Sequence, residues 1–256
     1  NKMETELDTI ENPEPIKKGE ISNNNHHRDK DSQHVDDYDE VIKYLHTDIN
    51  DIDEKTLPRN WDWRNVNGVS YLPEIENQGS CGSCYVWASI NSLEARLRIA
   101  TNNKDTTKFS VNFPLSCNFY SEGCDGGYPF LVGKFFNEFE VIPRECFPYE
   151  QNSHKNCNKV CDYTKYKKKY SVSKFGYVGG YYGGTNEINM MKELRARGPI
   201  PASIRVPVSF NYYKSGIFSE KVLKKNSEKL STITMLDRSL SWEKVEHSVT
   251  LVGYGE

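Results

Sequence analysis

The sequence predicts an α+β fold, in which a long helix beginning near Cys84 comes first and a β-rich part carrying His247 comes later. After Cys84, apolar residues recur every three or four positions, as on one buried helical face. These residues are Val86, Ile90, Leu93 and Leu97. Further along, apolar residues alternate with others, which is typical of a half-buried strand. The alternating residues are Ile200, Ala202, Ile204, Val206 and Val208. His247 shares its strand parity with Val249 and Leu251.

The long helix is preceded by a turn that contains two N-cap-type residues, Ser80 and Ser83. Cys84 therefore falls in the first helical turn, where free amide N–H groups and the helix dipole favour a thiolate. Gln78 lies six residues upstream, where its amide could donate to an oxyanion. Two cysteines with this spacing, Cys81 and Cys84, are also typical of a disulfide or of half a zinc site. The helix and Gln78 favour a nucleophile.

The middle of the chain contains a turn-rich segment, a second helix and a polar segment. Residues 123–129 are rich in glycine, which is used where the backbone bends sharply or approaches a ligand closely. The second helix is predicted to be capped by Thr185 or Asn186 and to stop at Gly198. Residues 220–244 are polar and rich in lysine and serine, and we interpret them as an insertion.

Residues 1–56 differ in composition from the rest of the chain. They contain few large apolar residues, so they are expected to form a disordered linker. One short stripe at helical spacing would need a partner surface to be stable. It consists of Tyr38, Val41, Ile42 and Leu45. The pair His26–His27 could bind a metal, but a solvated linker is the better explanation, and we predict no metal site.

Composition excludes several classes of function. The net charge of −3 over 256 residues gives no indication of a nucleic-acid partner, and the basic residues 165–169 are interpreted as a solvated loop. No apolar run approaches the roughly 18 residues that a membrane-spanning helix requires. The chain opens at Asn1 without a visible signal peptide, and we interpret it as a fragment.

Seven cysteines indicate an oxidising compartment. An odd number, with one cysteine at a helix start, fits three disulfides and one reactive thiol. Six cysteines allow 15 pairings, and their spacing alone does not choose among them. The cysteines are Cys81, Cys84, Cys117, Cys124, Cys146, Cys157 and Cys161.

The segment from Cys81 to Tyr85 resembles the active-site signature of the papain family of cysteine peptidases. The residues 93–103 and 177–184 are similar to the cathepsin C, or dipeptidyl peptidase I, branch of that family. The resemblance implies a papain-like fold with a helical lobe, a β-rich lobe and a cleft between them. It places the peptidase domain at residues 57–256.

The resemblance also implies roles for individual residues. Cys84 would be the nucleophile, His247 the general base, and Gln78 an oxyanion donor. Gly126 and Gly127 would hydrogen-bond the substrate backbone, although a disulfide-tethered turn also explains these glycines. A histidine on an apolar strand is more often a hydrogen-bonded core residue, so the role of His247 rests on its motif. In that motif Glu246 and Ser248 replace the usual Asn and Ala, and neither change removes the imidazole.

The disulfides and one ion follow from the same resemblance. It implies the pairs Cys81–Cys124, Cys117–Cys157 and Cys146–Cys161, and hence a secreted protein or one in an acidic, lysosome-like compartment. No metal or organic cofactor is expected. Chloride is implied near Tyr177, with a backbone N–H of residues 128–130 as a second contact. Phe130 stands where the cathepsin C branch has Tyr, which preserves the N–H but changes the pocket wall.

The resemblance implies peptide or protein substrates, from which N-terminal dipeptides are released. A papain-like endopeptidase and an inactive paralogue with a binding role are the alternatives. It further implies a pro-segment that ends near Leu57, an exclusion domain upstream, and an orienting Asn beyond Glu256. We therefore expect a peptidase domain that is truncated at its C terminus.

Overall fold

The computed structural model describes residues 38–151, 156–218 and 246–255, and it has the predicted α+β fold. The helices are α1 (residues 38–42), α2 (Cys84–Ala100), α3 (Asn112–Cys117), α4 (Pro129–Glu138) and α5 (Glu187–Arg197). The strands are β1 (Trp61–Asp62), β2 (Ile200–Ile204), β3 (His247–Leu251) and β4 (Gly253–Tyr254). Short 3-10 segments lie at Ile49–Asp51, Glu54–Thr56, Gly123–Asp125, Arg144–Cys146, Cys157–Lys159, Tyr163–Lys165 and Val208–Tyr212.

Helix α2 is buried on nearly every side. All four residues of its predicted apolar face are buried, which confirms both the helix and its orientation. On one side, α2 packs against α4 in the main apolar core, which also contains Phe113 of α3. Near its C-terminal end, Ile99 belongs to a second core together with Trp63 and Tyr71. A helix that joins two cores has no need of a polar face.

The strands form two antiparallel pairs within the described residues. Strand β2 pairs with β3, from Ile200 opposite Leu251 to Ile204 opposite His247. Strand β1 pairs with β4. Both β2 and β3 pack against α2, so the strand that carries His247 lies on the helix that begins at Cys84.

Strand β2 is shorter than predicted. The alternation of apolar residues predicts a strand that reaches Val208, and this is wrong beyond Ile204. Pro207 has no N–H to donate to a strand ladder, and a 3-10 segment begins directly after it. The two remaining apolar residues of the pattern therefore lie outside the sheet.

The second predicted helix is confirmed as α5. Its cap is Asn186, whose side-chain oxygen accepts from the Asn189 N–H at 2.9 Å. Its end is Gly198, with φ +104°, a conformation that residues other than glycine rarely adopt. A Cβ atom at Gly198 would also lie 2.5 Å from the Ile99 side chain, so the glycine allows α5 to end against α2.

The predicted disorder of residues 1–56 is wrong for residues 38–56, which we call the N-terminal strap. The predicted apolar stripe begins in α1, and Val41, Ile49 and Ile52 of the strap are buried. The polar average over residues 1–56 concealed apolar residues that are concentrated at the end of the segment. These residues find the partner surface that a short helix needs, in cores that contain Ile99 and Ala196.

Some expectations fall outside the described residues, namely those for His26–His27 and for the insertion at residues 220–244. Within the described ranges, no helix is long and apolar enough to cross a membrane. In the same ranges, no group of three or more His, Cys, Asp or Glu side chains is placed to hold a metal ion.

Helix α2 carries a buried carboxyl group. Glu94 is 1% exposed, and its Oε1 accepts from the Phe109 N–H at 2.8 Å. Burial raises the pKa of Glu94 from 4.5 to about 7, although the Phe109 N–H and the charges of Arg144 and Arg98 act in the opposite direction. Below about pH 7, the protonated form of Glu94 is therefore favoured in the folded protein.

This carboxyl group should make the protein more stable at acid pH. Because its pKa is higher in the folded state, its contribution is complete below about pH 4.5 and is lost as the pH rises through about 7. The shift from 4.5 to about 7 corresponds to at most about 3 to 4 kcal/mol at ~1.36 kcal/mol per unit. We expect Glu94→Gln to flatten the pH dependence of the free energy of unfolding, measured by urea titration between pH 4.5 and 7.5. The exposed Glu122→Gln is the control, and an equal effect of both variants would contradict this account.

Candidate active site

The turn before α2 is held by side chains. The side-chain amide of Gln78 donates to the Cys81 carbonyl at 2.9 Å, and the backbone carbonyl of Gln78 accepts from the Tyr149 hydroxyl at 2.7 Å. Gly79 has φ +64°, and its N–H donates to the Asn77 side chain at 2.8 Å. Gln78 is therefore fixed at both its backbone and its side chain, which limits the positions that its amide can take.

Cys84 is the first residue of α2 and is half-buried. All seven cysteines lie within the described residues, and Cys84 alone is outside a disulfide. In the first turn of this helix, the Val86 N–H donates to the Ser83 carbonyl at 3.0 Å, whereas the N–H groups of Cys84 and Tyr85 have no intrahelical acceptor. Ser83 does not cap the helix with its side chain; its hydroxyl lies 3.1 Å from that of Tyr149. The thiol is thus placed beside backbone N–H donors at the positive end of the helix.

The six other cysteines form the three disulfides that the family resemblance implies. Their Cα–Cα separations are 4.7, 5.1 and 5.1 Å, within the usual range for a disulfide. The pairs are Cys81–Cys124, Cys117–Cys157 and Cys146–Cys161. The first one ties the turn before α2 to the glycine-rich segment, so that the two sides of the candidate site move together.

Two glycines allow the glycine-rich segment to pack closely against the turn before α2 and the start of that helix. The Gly82 N–H donates to the Cys124 carbonyl at 2.9 Å, and a Cβ atom at Gly82 would lie 2.5 Å from that oxygen. A Cβ atom at Gly127 would lie 2.5 Å from the ring of Tyr85. Gly126 has φ +125°, which explains the glycine there by conformation alone. The packing of these glycines accounts for the sequence of the turn, and the expected substrate contacts of Gly126 and Gly127 stay a prediction.

His247 is the first residue of β3 and is half-buried. Its strand lies against α2, where the Thr250 hydroxyl donates to the Ala88 carbonyl at 3.4 Å. Ala88 is one helical turn after Cys84, and Thr250 is three residues after His247. One hydrogen bond therefore joins the segments that follow the two candidate catalytic residues.

A second contact gives the direction of the strand along the helix. The Ser92 hydroxyl donates to the Pro199 carbonyl at 2.5 Å, next to Ile200, which pairs with Leu251. From the first contact to the second, the position moves forward along α2, from Ala88 to Ser92. It also moves forward along β3, from Thr250 to Leu251, so the two elements run in the same direction. The N-terminal end of α2 and the N-terminal end of β3 lie at the same end of this contact, and they carry Cys84 and His247.

A family comparison matches this arrangement. The sequence model described as "Papain family cysteine protease" matches residues 57–256. The chain belongs to the papain family of cysteine peptidases. Its structure is similar to that of digestive procathepsin L2 from Tenebrio molitor larval midgut, with a TM-score of 0.57 and 22% identity over 78% of this chain and 54% of that one. This likeness shows the papain-like fold.

Two relatives within the family are longer than this chain. Cathepsin C of Schistosoma mansoni is 35% identical over 202 residues, which cover 78% of this chain and 42% of that protein. Dipeptidyl aminopeptidase 1 of Plasmodium falciparum is 25% identical over 303 residues, which cover 90% of this chain and 41% of that protein. The chain thus spans about two fifths of the length of each of these relatives.

The residues expected to bind chloride lie together. The Tyr177 ring stacks on the Phe130 ring, with 4.6 Å between centroids and 11° between planes. Phe130 is the second residue of α4, where Pro129 has no N–H and the Leu131 and Val132 N–H groups donate to the Tyr128 carbonyl, so the Phe130 N–H is the donor of this turn without an intrahelical acceptor. Burial raises the pKa of Tyr177, so its hydroxyl keeps the proton that a hydrogen bond to an anion requires. The Tyr177 hydroxyl and the Phe130 N–H are the donors that would hold chloride, and its binding stays a prediction.

Sequence reasoning missed two residues that hold the site together. The partly buried Tyr149 contacts Gln78 and Ser83, and it packs edge-on against Trp87 at 5.1 Å between ring centroids. The Tyr85 hydroxyl donates to the Gly123 carbonyl at 3.0 Å, and burial raises the pKa of this tyrosine to about 12. Both residues belong to segments that match the family, but a local match gives no indication of a partner that is far away in the sequence.

Proposed function

We propose that this peptidase uses Cys84 and His247 to release N-terminal dipeptides from peptides and proteins. The observation that carries the proposal is the free thiol at the start of α2, at the same end of the helix–strand contact as the imidazole. The dipeptidyl mode rests on the similarity to cathepsin C of S. mansoni.

The proposed chemistry begins with proton transfer from the Cys84 thiol to the His247 imidazole. The sulfur then forms a bond to the scissile carbonyl carbon, and the carbonyl π electrons move to its oxygen. As the C–N bond breaks, the imidazolium gives its proton to the leaving amine, and a thioester remains. The same imidazole takes a proton from water, whose oxygen forms a bond to the thioester carbon. As the C–S bond breaks, the acid is released, and the imidazolium returns its proton to the sulfur.

Gln78 is suited to stabilise the negative oxygen of both tetrahedral intermediates. A side-chain amide has two N–H donors, and the Cys81 carbonyl takes one of those of Gln78. The second amide N–H and the backbone N–H of Cys84 would bind the oxyanion. Each such donor is typically worth about 2.7–4 kcal/mol in the transition state. The anchoring of Gln78 by Tyr149 favours catalysis because the donor is in position before the charge develops.

The dipeptidyl mode requires a block at one end of the cleft. A papain-like cleft that is open at both ends gives an endopeptidase, which is the main alternative. We propose that an exclusion domain, within the part of the protein that corresponds to the unmatched length of cathepsin C, binds the free amine of the substrate. An inactive paralogue with a binding role is disfavoured because Cys84 is unpaired and Gln78 is held in place.

Two substrates test this mode on the full-length protein. A dipeptide joined to a fluorophore offers a free amine, and its N-acetylated twin does not. We expect rapid hydrolysis of the free-amine substrate and a rate at least about 100-fold lower for the acetylated one, from loss of a charged contact of roughly 3 kcal/mol. Comparable rates would show an open cleft and replace the dipeptidyl proposal with the endopeptidase.

The disulfides indicate the cellular compartment in which we expect the protein to act. Three disulfides persist in an oxidising environment, so we propose the secretory pathway, ending in secretion or in an acidic, lysosome-like compartment. The raised pKa of Glu94 supports the acidic alternative because it favours the folded state at low pH.

A chloride dependence is expected if Tyr177 binds this ion. Exchange of chloride for a larger anion should lower kcat/KM several-fold, since the larger anion fits poorly between the Tyr177 hydroxyl and the start of α4. Tyr177→Phe should remove that sensitivity, whereas Tyr181→Phe, at an exposed tyrosine of the same segment, should retain it. A wild-type enzyme that is indifferent to chloride would contradict the proposed site.

A further inference from the structure

We infer that the N-terminal strap is a structural part of the peptidase that stays bound to it after maturation, and not an inhibitory pro-segment. The surface that holds the strap is formed by α5, the C-terminal end of α2 and the tryptophans of the segment that includes β1. This inference rests on the proposed function only where activity is measured, because retention of the strap can be observed without catalysis.

The strap is bound through side chains that face the peptidase. The Tyr38 hydroxyl lies 3.0 Å from the Ile99 carbonyl and 2.9 Å from the Ala100 carbonyl, at the end of α2. Val41 is 3% exposed and packs in one core with Trp63 and Ile99. The strap thus covers apolar surface that would otherwise face water.

A second group of strap residues covers α5. Ile49 and Ile52 are 8% and 3% exposed and pack with Ala196. Partly buried Tyr44 and Leu57 complete this small core. Ala196 is the one member of this core that belongs to α5, and the other members belong to the strap or to Leu57 directly after it. If the strap dissociated, the surface of α5 around Ala196 would therefore be exposed to water.

Two arginines of α5 are built to accept the strap. Arg195 is 1% exposed, and its guanidinium donates to the Val41 carbonyl at 3.1 Å and to the Glu40 carbonyl at 2.6 Å. Arg197 donates to the Thr47 carbonyl at 3.1 Å. A guanidinium can be buried only when its N–H groups are paired, and backbone carbonyls of the strap supply several of these partners. The Glu40 carboxylate also pairs with Arg195 at 3.1 Å, and Glu193 of α5 pairs with Arg197 at 3.0 Å. The carbonyl bonds recognise the backbone path of the strap.

The position of the strap argues against inhibition. It contacts the last residues of α2, which lie about 23 Å from Cys84 at ~1.5 Å of rise per residue. A pro-segment that inhibits by occlusion must cover the thiol, whereas the described strap lies at the opposite end of the helix. Cleavage near Leu57 would therefore leave residues 38–56 bound at the end of α2 that is far from the thiol.

The inference is tested by cleaving the full-length, active protein between the strap and the peptidase domain. A recognition sequence for a specific protease is placed at Lys55–Thr56, which are exposed, and the cut protein is analysed by native size exclusion followed by mass spectrometry. We expect the strap to co-elute with the peptidase, with activity within about twofold of the uncut enzyme. Val41→Asn should make the strap dissociate at least tenfold faster, whereas Lys43→Asn, at an exposed residue of the strap, should not.

Two results would overturn the inference. One is loss of the wild-type strap after the cut with an unchanged melting temperature, and the other is a rise in activity when the strap leaves. A retained strap on a protein that hydrolyses no peptide would leave the inference intact and would count against the proposed function instead.

Discussion

Replacing Cys84 by alanine is expected to lower kcat/KM for peptide hydrolysis by about 10⁴-fold or more, the scale seen when a catalytic nucleophile is removed. The reason is chemical, because no other described cysteine carries a free sulfur. The thiol is only half-buried and belongs to no disulfide, so the variant should fold, and its melting temperature should stay within a few degrees of wild type.

The control for this variant lies in the same turn. Ser80→Ala alters an exposed side chain four residues earlier and should change kcat/KM by less than about threefold. Substantial hydrolysis by a purified Cys84→Ala protein would show that another group attacks the substrate, and the assignment of the nucleophile would then be wrong.

Replacing His247 by asparagine is expected to lower kcat/KM by about 10³-fold or more. The amide preserves a polar side chain at the start of β3 but cannot exchange a proton with the thiol or with the leaving amine. Alkylation of Cys84 should slow in parallel, since fewer thiols would be ionised. This second readout separates loss of the base from a change in substrate binding.

His46→Asn is the matched control, because His46 is an exposed residue of the strap. It should leave both rates within about twofold of wild type. If His247→Asn retained normal alkylation and lost only hydrolysis, His247 would act on the leaving group or on water but not on the thiol, and the first step of the proposed mechanism would need revision.

The central helix and its thiol could be predicted from the sequence because their signals are local. The apolar spacing after Cys84 is regular over several turns, and it located the helix correctly even though Ser83 makes no side-chain cap. The capped helix α5 was predictable for the same reason, with Asn186 at one end and Gly198 at the other. Where periodicity and end signals agree, little tertiary information is needed.

Other features depend on partners that are distant in the chain. The strap was predicted to be disordered from the polar composition of residues 1–56, and its carbonyl contacts with Arg195 and Arg197 leave no pattern in its own residues that could have corrected this. The pairing of the cysteines followed from the family resemblance and not from their spacing. The anchoring of Gln78 by Tyr149 joins residues that are 71 positions apart, which local reasoning cannot reveal.

The central claim is that Cys84 is the nucleophile, and mapping of its alkylation tests it most directly. The full-length, unreduced enzyme is treated with a peptidyl epoxide that reacts with thiols, digested, and analysed by mass spectrometry. We predict rapid modification of Cys84 alone, with the other six cysteines recovered as the three observed disulfides. Equal modification of Cys81 and Cys84, or none at Cys84, would contradict both the nucleophile and the disulfide that positions it.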